Sequence, residues 1–97
     1  MGTIHYISAD GSTRTEAATA APDVGSCELY LGGDREWVHV LFKGKRTRML
    51  VNENGIALGL PINAEATEIY HAWPRSKGMD VTGRHIHGNA ILLVGIE

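Results

Sequence analysis

From Trp37 to Val51 the chain reads WVHVLFKGKRTRMLV, two runs of β-forming residues around Lys43-Gly44-Lys45. Side chains alternate with period two on the return run, a pattern for a strand and not a helix. Thr47, Met49 and Val51 fall on one face, and Arg46, Arg48 and Leu50 on the other. Two such runs joined by a three-residue connection predict a β-hairpin.

Other segments add to it. Thr3 to Ile7 predicts a strand with Ile4 and Tyr6 on one face and His5 and Ile7 on the other, ended by the turn residues Ala9-Asp10-Gly11-Ser12. Residues 13–22 fit either a continued hairpin or a loop. Residues 24–31 fit either a short helix opened by Pro22-Asp23 and ended by Gly32-Gly33, or a strand. Asn52 to Gly55 is a turn signal, and an apolar link from Ile56 to Leu60 leads to Pro61. Asn63 is placed to cap a helix from Ala64 to Trp73, with Glu65 near its positive end. Ala66, Ile69, Tyr70 and Trp73 share the face expected to meet the sheet, and Pro74 is expected to stop the helix. Arg75 to Gly83 reads as a loop, and His85 to His87 as the start of a strand. Ala90 to Ile96 is continuously apolar, which suits a strand covered on both faces or one sharing an interface with another chain. The fold class predicted is α+β: a small, mostly antiparallel sheet of about four strands with one or two packed helices.

With 97 residues the chain fits one domain. Its formal charge of −2 disfavours general nucleic-acid binding, which needs a positive excess. The single cysteine, Cys27, cannot form an internal disulfide, and no stretch reaches the ~18 apolar residues of a membrane span. The expected setting is cytoplasmic, with no membrane partner.

Four features join into a resemblance: Gly32-Gly33; Asn52-Glu53-Asn54-Gly55; Gly59-Leu60-Pro61-Ile62-Asn63-Ala64-Glu65-Ala66-Thr67; and Gly88-Asn89-Ala90-Ile91. Over residues 24–96 the chain resembles a small family of uncharacterised bacterial, phage and plasmid proteins, described as a domain of unknown function. His87 and Asn89 stand where that pattern more often has an apolar residue and an aspartate. The resemblance implies a mobile-element setting, host cytoplasm if phage-encoded, and supplies no activity and no catalytic residues.

The candidate site residues are Arg46, Arg48, Asn63, Thr67, Tyr70 and Trp73. Paired guanidinium groups bind phosphate bidentately. A helix N-terminus at Asn63 and the Thr67 hydroxyl favour an anion, and Tyr70 or Trp73 would stack a nucleobase. Capping, turn and core chemistry account for the same residues without a ligand. His85-x-His87, with His5, His39 and His71 elsewhere, has metal-like spacing but nothing that fixes convergence, so no metal, cofactor or catalytic residue is assigned. The expected function is a small, non-enzymatic, homo-oligomeric binding protein that sequesters an anionic small molecule such as a nucleotide signal, possessing a counter-defence role. The alternative is a protein-protein adaptor or inhibitor of a host factor, using the strand from Ile91 to Ile96.

Overall fold

The computed structural model describes residues 1–96. Strands β3 (Arg35–Phe42) and β4 (Lys45–Asn52) form the hairpin, with Phe42 opposite Lys45. The turn is two residues rather than three, because Lys43 and Gly44 both take positive φ, 51° and 78°. Such a turn matches the twist of its strands.

Strand β1 (Gly2–Ile7) pairs with β2 (Thr13–Ala18), which settles the open segment as a hairpin arm. Its sequence, TRTEAA, is exposed along nearly its whole length and so carries no apolar alternation. Helix α1 (Val24–Leu31) settles the second open segment. Asp23 accepts a hydrogen bond from Ser26 N–H and another from the Ser26 hydroxyl, and Gly32 closes the helix at φ 82°. These bonds hold the Asp23 carboxyl below its ordinary range. Helical spacing buries Cys27 and Leu31 and leaves Leu29 86% exposed, where a strand would have put all three on one face.

Helix α2 (Ala64–Ser76) and strand β5 (Ala90–Val94) complete a five-stranded antiparallel sheet in the order β2-β1-β5-β4-β3. The class is α+β, with one strand more than the four expected. The helices lie on opposite faces. Against α1 pack Ile4, Leu50, Ile91 and Leu93; on the α2 side lie Ile7, Met49, Val51, Ala66 and Leu92. Strand β5 is therefore central and covered on both faces. Leu92 and Leu93 are 0% and 2% exposed, so the apolar run is not left open to another chain. Leu92→Ala and Leu93→Ala should each cost about 3 kcal/mol, read as the denaturation midpoint in urea. A strand covered on one face only would lose stability in one of the two.

Three expectations for α2 and its sequel need correction. The helix runs through Pro74 to Ser76, since a proline this near the end removes one helical bond in the final turn. Ala66 is buried and Ile69 and Tyr70 pack against the core as expected, but Trp73 is 47% exposed while Thr67, His71 and Pro74 are buried, so the buried face extends toward positions 67, 71 and 74. His85 to His87 starts no strand: Ile62 and His87 form one isolated bridge, and the strand begins at Ala90.

Candidate functional site

The register of the hairpin decides which side chains can work together. His39 lies opposite Arg48, Leu41 opposite Arg46, and Trp37 opposite Leu50. All six project from the face that carries α1. That helix packs over Ile4, Leu50, Ile91 and Leu93, toward one end of the face. The hairpin end stays open as a groove of about 620 Å³, lined by Thr19, His39, Arg46, Arg48, Leu93 and Ile96. Arg48 is positioned before any ligand arrives. Its Nη2 donates to the Ile96 carbonyl at 3.2 Å, and its guanidinium carbon sits 4.7 Å from the centroid of Trp37. Arg35 approaches the same indole at 5.4 Å. The ion pairs among the described residues are Arg14–Glu16 and Arg75–Glu68, which leaves Arg46 and Arg48 without a carboxylate there.

The other four candidate residues stand on the far side of the sheet. Asn63 is 1% exposed and fully engaged. Its Oδ1 accepts from Ala66 N–H at 3.1 Å, and its Nδ2 donates to the carbonyls of Ile7 at 2.9 Å and Gly88 at 3.0 Å. The buried Thr67 hydroxyl accepts from Ile86 N–H at 3.0 Å. Asn63 has no group to spare for a ligand, and burial closes the Thr67 hydroxyl to one. Tyr70 and Trp73 line a separate cleft of about 290 Å³ with Val38, Pro74 and Arg84. Chain proximity suggested one site, but β4 sends Arg46 and Arg48 one way and the apolar residues that receive α2 the other. The residues that join the arginines are Trp37 and His39. Alternation along WVHVLF, combined with the hairpin register, carries that signal.

The remaining motif residues are scaffold too. Asn52 donates to the Leu31 carbonyl at 3.0 Å and accepts from Asn54 N–H at 2.8 Å, joining the end of α1 to the turn after β4. Asn89 accepts from Ala9 N–H at 2.9 Å and donates to the Tyr30 carbonyl at 3.0 Å. Gly55 has no room for a side chain: a Cβ there would stand 2.6 Å from the His87 carbonyl oxygen. No protein-family model, no curated protein and no solved structure matches this chain. The resemblance drawn from the motifs thus rests on residues whose work is structural.

The histidines do not assemble. His71 and His85 ring centroids are 6.2 Å apart and those of His85 and His87 6.4 Å. Ring nitrogens of His71 and His87 meet the carbonyls of Arg84 and Leu60. Among the described residues no group of three or more His, Cys, Asp or Glu side chains is placed to hold a metal. Cys27 is buried, which pushes its thiol up and keeps it protonated. No helix is long and apolar enough to cross a membrane.

At the hairpin tip, His5 packs edge-on to Phe42 with ring centroids 5.5 Å apart, beside Lys43 and Lys45. Burial and then the Lys43 charge lower its pKa from the ordinary 6.5, with Glu65 opposing. The unfolded chain thus binds the proton more readily than the folded one. This contribution to stability is complete above pH 6.5 and is lost as pH falls through the lowered folded value. His5→Gln should flatten the decline in urea midpoint between about pH 7.5 and 5. An unchanged slope would show that His5 titrates alike in both states.

Proposed function

We propose that this chain is a binding module for an anionic small molecule of nucleotide size, held in the groove between Arg46, Arg48 and His39. The observation that supports the reading is the open pair of guanidinium groups: they share a face, lack a carboxylate partner among the described residues, and border the apolar side chains of Leu93 and Ile96. Charge-assisted, bidentate bonds would hold a phosphate above a floor closed by the buried Leu93 and Ile96. A groove of about 620 Å³ lies within the 300–1,000 Å³ range of small-molecule sites. With Trp37 already stacked by Arg48, base recognition would come from the guanidinium planes rather than from Tyr70 or Trp73.

Thermal-shift and calorimetric titrations with inorganic phosphate, mononucleotides and cyclic mono- and dinucleotides test it. A saturable shift for at least one nucleotide is expected, weakening as salt rises. No shift with any of them at millimolar concentration would sink the reading. Light scattering on the same samples measures the oligomeric state, for which the sequence expectation is more than one copy.

A second reading, a protein-protein adaptor acting on a host factor, rests on a different feature from the one first expected. Ile56, Leu58 and Ile62 are 72%, 59% and 49% exposed within one short loop. Replacing all three with serine would abolish capture of a host factor under this reading and leave nucleotide shifts intact.

A further inference from the structure

The outer edge at β3 has the geometry of a strand acceptor. The Asp34 carbonyl accepts from Glu53 N–H at 2.8 Å, which fixes the parity of the ladder. Even-numbered residues of β3 bond to β4, so Arg35, Trp37, His39 and Leu41 turn their N–H and C=O groups outward. Those outward groups make no hydrogen bond to any described residue. Strand β3 spans eight residues and contains no proline, whereas the opposite edge, β2, is six residues long and carries the Arg14–Glu16 pair.

Above this edge lies the cleft of about 290 Å³ formed by Val38, Tyr70, Trp73 and Pro74. Its polar lining is His39 and Arg84, and no carboxylate borders it. Trp73 is 47% exposed there, although its neighbours His71 and Pro74 are buried. An open ladder beside an apolar, basic-rimmed cleft selects an extended main chain with alternating side chains.

We propose that the β3 edge and the α2 cleft together dock an extended peptide segment of another protein. The segment adds as a sixth strand, places an apolar side chain under Trp73, and sets a carboxylate against Arg84. A second copy of this chain does not fit. Paired β3 strands would stand about 4.8 Å apart, while each α2 packs over its own β3 and two helices need about 8–10 Å. The anion groove lies on the other face and shares with the cleft only His39, which borders both at the edge strand.

Panning a displayed library of random octapeptides on the full chain tests the proposal. Enriched peptides are expected to alternate apolar and other residues, with an acidic residue near one apolar position. Fluorescence polarisation with the most enriched peptide should show at least ten-fold weaker binding to Trp73→Ala and to Arg84→Glu. Lysine in place of the peptide's acidic residue should restore binding to Arg84→Glu, and binding should slow hydrogen exchange at the Arg35, Trp37, His39 and Leu41 amides. Three results would overturn it: no enrichment above an unrelated control protein, peptides insensitive to both variants but lost in Arg46→Ala/Arg48→Ala, or exchange protection of those amides by self-association without peptide.

Discussion

Asn63→Ala should destabilise the protein by about 4 kcal/mol, seen as a fall of some 15–30 °C in Tm. The side chain does two jobs at once. Its oxygen caps α2, worth about 1 kcal/mol. Its nitrogen serves the Ile7 and Gly88 carbonyls, and leaving a buried acceptor unsatisfied costs about 1–3 kcal/mol. Asn63→Asp separates the two jobs. A carboxylate caps a helix as well as an amide does, yet it brings a buried negative charge against two carbonyl oxygens and donates to neither. If capping were the whole role, aspartate would restore stability. With the side chain tying β1, the turn before β5 and α2 together, aspartate should be at least as damaging as alanine. Domains of this size hold about 5–15 kcal/mol in total, so either variant leaves little margin.

A side chain that ties three elements together in this way shows why the fold was easier to read than the site. Local rules sufficed for the two arms of the hairpin and for the Asn63 cap, and they offered helix α1 and the two-sided burial of β5 each as one of two alternatives. They failed where tertiary contact decides. The exposed β2 has no alternation to read, and Pro74 looked like a stop because its buried packing under the end of α2 is invisible in sequence. A motif such as Gly59 to Thr67 draws attention as chemistry, yet Asn63 and Thr67 spend every polar atom on the backbone. The arginines were legible as a pair because period two puts them on one face. Their true neighbours, Trp37 and His39, required the register, and register required a turn of two residues rather than three. The face parity of β4 already carried the separation from α2. Helix α2 covers the side of Met49 and Val51, and that side excludes Arg46 and Arg48.

The double variant Arg46→Ala/Arg48→Ala should therefore remove nucleotide binding by about 100- to 1,000-fold while changing the urea midpoint by less than about 1 kcal/mol in stability. The two positions should not be equivalent. Arg46 is exposed, so its charge acts partly through screened attraction and its loss should weaken with added salt. Arg48 is half-buried, stacked on Trp37 and held by the Ile96 carbonyl, so its fork is aimed before the ligand binds. Lysine keeps the charge but neither the plane nor the fork. Arg48→Lys should accordingly lose nearly as much affinity as Arg48→Ala, whereas Arg46→Lys should stay close to the parent protein. Trp37 offers a direct readout, because its fluorescence senses the guanidinium above it and should respond to ligand only while Arg48 is in place. Equal affinity in Arg48→Lys and the parent would reduce the groove to a diffuse positive surface, and full affinity in the double variant would remove it as the site.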